Sequence, residues 1–271
     1  MVFHGVRLTD AERLHELGYR GVAADQMIRL GFHSSSLEWL ETLQQAGYRP
    51  ELDDLFRLQE HGVSAEEVRA MAGLGFAKIG VEGLLRLHDH GIGASYVRGV
   101  VDAGAKMDDL DGILRLHSHG IAPEYVAGLR SAGLRDAAID DVTRLHDQGI
   151  DTAYVRGTVE SGLPDLSIDD IVRLHAHGVP TDFLRALVEA GPGKRGVDAV
   201  ILLHDHGVGI DWARGMAELG YGGLPPEALT RLHAHGVSPD LVRSLAEAGH
   251  RDLTADDLVR ASSGGPEALG R

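Results

Sequence analysis

Histidine is the residue in this chain whose type and spacing most invite chemistry. It recurs in "LHDHGI", "LHSHGI", "LHDQGI", "LHAHGV" and "LHDHGV". The first histidine of the motif stands at His88, His117, His146, His175, His204 and His233, each step being 29 residues. The second stands at His61, His90, His119, His177, His206 and His235, with Gln148 filling one place, and the series runs back to His33 and His4. Imidazole rows of this kind could ligate a borderline metal or a haem. Spacing argues against this within one motif. Residues two apart on a helix point about 200° away from each other, so the pair cannot close on one ion as an i, i+4 pair does. Bridging between copies is open, because packed helices stand about 8–10 Å apart.

Three other rows keep the same register. An acid stands four residues before the repeated arginine position: Asp25, Asp53, Glu82, Asp111, Asp140, Asp169, Asp198, Glu227 and Asp256 precede Arg29, Arg57, Arg86, Arg115, Arg144, Arg173, Leu202, Arg231 and Arg260, with Leu202 the exception to arginine. Acid before base at i, i+4 predicts intrahelical pairs worth about 0.2–0.5 kcal/mol each. A second arginine row is Arg69, Arg98, Arg156, Arg185, Arg214 and Arg243, with Asp102, Glu160, Glu189, Glu218 and Glu247 four residues after five of them. Those acids predict a neutralised face; the alternative is a stripe of forked donors able to hold a partner's carboxylates. The aromatic row is Trp39, Tyr96, Tyr125, Tyr154, Phe183 and Trp212. Each stands one residue before a core position, which predicts partial burial between repeats; an aromatic track for a ligand is the sharper alternative. The candidate partner- or ligand-binding residues are therefore Arg98, Arg156, Arg185, Arg214, Arg243, Tyr96, Tyr125, Tyr154 and Trp212, with His88, His117, His146, His175, His204 and His233.

The elements that position these rows can be read from one copy, "SIDDIVRLHAHGVPTDFLRALVEAG", residues 167–191. Ser167 is a good N-cap, and Asp169 and Asp170 suit the positive end of the helix dipole. Ile168, Ile171 and Leu174 make an apolar stripe. Gly178 is the left-handed residue past a helix end, which places His177 at the C-cap and sets Val179 against Leu174 in a Schellman ending. "LHxHGV" is thus first a helix stop. A second helix starts at once: Ser238-Pro239 places proline at the first helical position, and Ser64 with Glu67 fits a capping box. Glycine closes it at Gly18, Gly47, Gly75, Gly104, Gly133, Gly162, Gly191, Gly220 and Gly249.

A fixed period of this length is the signature of stacked repeats, each of which buries its stripe only on its neighbours. The expected fold is an all-α solenoid, a superhelix of about nine two-helix repeats in one array over residues 1–271. Residues 1–24 make a half-repeat cap, 25–250 the repeats, and 251–271 a polar cap and tail. "GPGKRG", residues 191–196, replaces the usual linker with a basic irregular loop, a candidate for contact and equally a plain turn, and "HSSSLEW" clusters serines with no fixed base beside them.

Composition bounds the function. The chain has 271 residues, no cysteine and a formal charge of −15. Disulfide and thiolate chemistry are excluded. The acidic balance disfavours generic nucleic-acid binding, which shows a basic face. No apolar run approaches the ~18 residues of a membrane span. The start lacks the basic head and apolar stretch of a signal peptide, so a cytoplasmic location is expected. No phosphate loop, nucleophile motif or HExxH appears.

With its acidic pair, "HGV" stop, capped second helix and closing "AG", the repeat resembles helical repeats in the C-terminal tails of bacterial BlaR-type antirepressor proteins, which follow a membrane metalloprotease domain. The likeness covers nearly the whole chain, as repeat units only. The first histidine, such as His88, stands where those tails would carry Lys or Arg, and the protease and membrane parts are not in this sequence. The resemblance implies a fold and a regulatory or binding role, with no catalytic residue and no cofactor. The expectation is a non-enzymatic scaffold holding a protein segment or a small molecule in its groove. The rival class is a histidine ladder for metal or haem. Two-helix repeats also bear a likeness to DNA-wrapping TAL-effector solenoids, against which stand the acidic charge and the lack of hypervariable residue pairs.

Overall fold

The structure, a computed structural model, describes residues 8–32, 36–75, 79–105, 109–191 and 196–269. His4, His33, the serines of "HSSS" at 34 and 35, and the centre of "GPGKRG" at 192–195 lie outside these residues. Within them the chain is all-α, with eighteen α-helices and one closing 3₁₀ turn, Pro266–Leu269. No strand occurs among the described residues, and no helix is long and apolar enough to cross a membrane. The chain divides into two compact units, Met1–Ala127 and Gly128–Arg271.

In the first unit the helices are α1 (Leu8–Glu16), α2 (Ala24–Phe32), α3 (Ser36–Gln45), α4 (Leu52–His61), α5 (Ala65–Gly73), α6 (Gly80–Asp89), α7 (Ala94–Asp102) and α8 (Leu110–Ser118), with α9 (Pro123–Ser131) containing the division. The second unit continues with α10 (Ile139–Asp147), α11 (Thr152–Val159), α12 (Ile168–Ala176), α13 (Thr181–Ala190), α14 (Val197–Asp205), α15 (Ile210–Glu218), α16 (Pro226–Ala234), α17 (Pro239–Glu247) and α18 (Ala255–Gly264). Even-numbered helices are the first, and odd-numbered the second, of each repeat.

Like packs on like. In the first unit α1, α3, α5 and α7 touch in succession, and α4 touches α6; in the second, α11, α13, α15 and α17 form one row and α12, α14, α16 and α18 the other. Each unit is therefore a helical-repeat solenoid in its local construction. The layers join through buried aliphatic side chains. In the second unit Leu174, Val179, Leu184, Leu187, Val200, Leu203 and Val208 share one core.

Both ends of the repeat motif follow the expected chemistry. Ser167 accepts from the Asp170 amide while Asp170 reaches back to the Ser167 amide, a full capping box. Gly178 has φ +66, its N–H donates to the His175 carbonyl at 2.9 Å, and the Val179 N–H donates to the Leu174 carbonyl at 3.0 Å. Those are the two bonds of a Schellman ending, and Val179 and Leu174 are both fully buried. Ser64 departs from expectation. Its hydroxyl accepts from the Glu67 amide, but Glu67 does not reach back, because its carboxylate is turned to His88 of the following repeat.

Candidate functional site

The predicted site residues fall into two groups, those spent on joining repeats and those left facing solvent. The histidine and aromatic rows belong to the first. His117 meets Tyr96 edge-on with ring centroids 5.0 Å apart, His175 meets Tyr154 at 5.0 Å, His204 meets Phe183 at 5.4 Å, and His233 meets Trp212 at 5.3 Å. In each case a first-helix histidine lies on the second-helix aromatic of the preceding repeat. The polar tip of the aromatic then closes the seam. The Tyr96 hydroxyl donates to the Ile121 carbonyl at 2.8 Å, the Tyr154 hydroxyl to Val179 at 2.9 Å, and the Trp212 indole N–H to Val237 at 2.7 Å. Those carbonyls belong to the residue just past the glycine stop. Burial pushes the Tyr96 and Tyr154 hydroxyls up to about 12. Tyr125 is half-buried, as is His146, whose Nδ1 lies 3.6 Å from Asp147. Trp39, Tyr96, Tyr125, Tyr154 and Trp212 are partly buried, as expected of the aromatic row, and Phe183 is buried.

His88 shows the same seam built differently. The position one period before Tyr96 is Glu67, and it takes the place of the aromatic. The His88 Nδ1 lies 3.1 Å from the Glu67 carboxylate and its Nε2 lies 2.8 Å from the His61 carbonyl oxygen. Both partners accept only, so both are served when the ring carries both hydrogens. The second histidines are more exposed, and two of them pair with the acid between the histidines of the next repeat: His61 with Asp89 at 2.8 Å, and His177 with Asp205 at 2.9 Å. Among the described residues no group of three histidine, aspartate or glutamate side chains stands where it could hold a metal ion.

The first-helix arginines overturn the intrahelical pairing. Arg57 bonds Glu82 at 2.8 Å and Arg86 bonds Asp111 at 2.7 Å in the first unit; Arg144 bonds Asp169, Arg173 bonds Asp198, and Arg231 bonds Asp256 in the second. The partner is the acid of the next repeat, 25 residues on, rather than the one four residues back. Stacked helices set each guanidinium over the N-terminal turn of its neighbour, and the long side chain spans the gap. Within a helix the contact made is i, i+3: Arg57 with Asp54, Arg173 with Asp170 and Arg260 with Asp257.

The second-helix arginines depart in the opposite direction. The predicted partners Asp102, Glu160, Glu189 and Glu218 do not close on them. Arg98, Arg156, Arg185 and Arg214 are exposed, and none makes a hydrogen bond or ion pair among the described residues. The row is bounded by arginines that do have partners: Arg69 donates to the Thr42 hydroxyl at 3.1 Å, and Arg243 pairs with Asp240 at 2.7 Å.

One set of residues was passed over in the sequence. Glycine follows the arginine in "RG" at Gly99, Gly157 and Gly215, and Gly128 keeps the register. A Cβ at Gly157 would lie 2.8 Å from Thr181, one at Gly215 2.7 Å from Pro239, and one at Gly99 2.7 Å from Pro123. The first residue of the next second helix fills the space of the missing side chain. These glycines sit inside helices, where glycine costs roughly 0.5–1 kcal/mol against alanine. Close approach of successive second helices is the reason for them. The signal was present, since glycine recurred at one helical register where no turn was expected.

A further concavity of about 740 Å³ opens in the first unit between two linkers, with Tyr19, Arg20, Gln44, Arg49 and Glu51 in its lining. The Tyr19 hydroxyl donates to the Pro50 carbonyl across it at 2.6 Å.

No protein-family model matches the chain, and no curated protein matches it.

Proposed function

We propose that this chain is a non-enzymatic binding module that holds a protein segment along the second-helix face of its second unit. One observation carries this reading. Arginine appears in two rows, and the first-helix row is consumed by contacts between repeats. In the second-helix row of the second unit Arg156, Arg185 and Arg214 remain exposed with no partner among the described residues, in a chain of net charge −15. Exposed guanidinium groups at fixed repeat spacing are fork-shaped donors suited to carboxylates. The histidines and aromatics, which could have served a ligand, act at the seams between repeats. The likeness of the repeat to BlaR-type antirepressor tails agrees with a regulatory binding role.

The test is a selection from a random peptide library on the full chain, repeated on the variant with Arg156, Arg185 and Arg214 all changed to Gln. The expected result is that peptides selected on the parent lose binding to the variant, whose thermal melt is unchanged. Equal binding by both proteins would overturn the assignment of this face.

A further inference from the structure

We propose that Arg156, Arg185 and Arg214 receive an acidic segment in polyproline II conformation, with one carboxylate at every third residue over seven residues. This rests on the second-helix face being the binding face. The three arginines lie on α11, α13 and α15, which touch in succession within one compact unit. All three are exposed and make no ion pair or hydrogen bond among the described residues. The next arginine of the row, Arg243, is already bonded to Asp240, so the open run within this unit is three long.

Spacing selects the conformation of the guest. Packed helices stand about 8–10 Å apart. Between α11 and α13 the seam is tight, because Thr181 occupies the Cβ space of Gly157, the residue after Arg156; between α13 and α15 Ala186 follows Arg185 in the glycine's place. The arginines therefore recur at about 8–10 Å. A polyproline II helix has three residues per turn and a rise of about 3.1 Å, so every third side chain returns to one side after about 9.3 Å. A β-strand returns a side chain to the same face after about 6.8 Å, or after about 13.6 Å. An α-helix offers about 5.4 Å per turn, or about 10.5 Å for seven residues, which drifts off a shorter repeat. Only the threefold extended conformation meets each arginine in turn.

Charge selects the spacing of acids on the guest. Glu160, Glu189 and Glu218 stand four residues after the three arginines, and Asp182 and Asp211 stand three before two of them; none closes an ion pair with the row. These acids repel a dense polyanion. A guest with single carboxylates separated by two neutral residues meets the guanidinium groups and avoids the acids between them. Polyproline II also keeps its backbone solvated and enters with little conformational entropy to lose.

The experiment uses the full chain and fluorescent seven-residue peptides read by anisotropy at low ionic strength. One carries aspartate at positions 1, 4 and 7 with proline between. Others carry the same three aspartates at alternate positions in a strand-forming background, or asparagine in place of aspartate. A fourth is a longer helical peptide with aspartate every seventh residue. The expected result is that the first binds at least tenfold tighter than the rest and weakens as salt rises. The variant R156Q/R185Q/R214Q should lose that binding at least tenfold while its dichroism spectrum is unchanged. Binding indifferent to the spacing of the aspartates, or unaffected in the triple variant, overturns the inference. If the first peptide fails but library peptides still depend on the arginines, the binding face stands and the polyproline II guest falls. If neither depends on them, both fall.

Discussion

The two helices of each repeat carry the same pair of residue types and end in opposite states. On the first helix, Arg173 reaches Asp198 of the following repeat, and the copies around it do the same. On the second, Arg185 and Arg214 reach no partner among the described residues, although Glu189 and Glu218 are four residues away. The difference lies in what the next repeat places opposite. The first helix begins with acids, so the guanidinium of the preceding layer finds a carboxylate across the seam. The second helix begins with Thr181, Ile210 or Pro239 at its first position, and at Thr181 and Pro239 the seam is closed by a glycine of the preceding second helix. A charge becomes structural or available according to its neighbour in the stack, not its neighbour in the helix.

The comparison breaks most visibly at the second-helix seam. Gly215→Leu forces a side chain into the space held by Pro239, 2.7 Å from where its Cβ must go. Overpacking of this kind costs about 3 kcal/mol. Urea denaturation should show the loss, and an unchanged midpoint would mean that the helices stand farther apart than the glycine implies.

The first-helix stop comes next. Gly120 has φ +69 with open space around its Cβ, so Gly120→Val costs backbone strain alone, about 2 kcal/mol. His117→Ala removes only the edge contact to Tyr96, about 1 kcal/mol or less. Thermal melts of the two variants should separate; equal losses would place the helix end elsewhere.

Tyr154→Phe removes the hydroxyl donated to the Val179 carbonyl and should cost about 1 kcal/mol. The same group sets an alkaline limit. Its value is raised from 10.0 to about 12 by burial, so the fold favours the neutral phenol. That contribution is full below about pH 10 and is lost as pH rises through 12. Alkaline unfolding, followed by dichroism, should shift in the phenylalanine variant. An identical alkaline profile would remove the tyrosine from the seam.

The smallest effect on stability separates the two arginine rows. Arg173→Gln should lower stability slightly at low salt and less at high salt, since the pair with Asp198 is exposed. Arg185→Gln should leave stability unchanged at every ionic strength. A salt-dependent loss at Arg185 would show that it, too, is part of the scaffold.

Much of the architecture was legible without coordinates. The 29-residue register, the glycine stops and the caps are local devices, written within one turn of the residues that use them. Ser167, His177, Gly178 and Val179 take the positions their order dictates, because helix ends are governed by sterics and hydrogen bonds over six residues. What the order of residues did not decide was who faces whom across a seam. Arg173 has acids three and four residues before it and one 25 residues ahead; only the stacking brings Asp198 within reach. Glu67 fits a capping box by spacing, yet His88 of the next repeat draws its carboxylate away. Gly157 and Gly215 read as helix weaknesses until the next helix fills their missing side chains. Sequence by itself determined the helices, their ends and their period, since those interactions are short in sequence. Tertiary structure alone decided which histidines, aromatics and arginines are spent between repeats and which arginines remain open, since those interactions are short only in space.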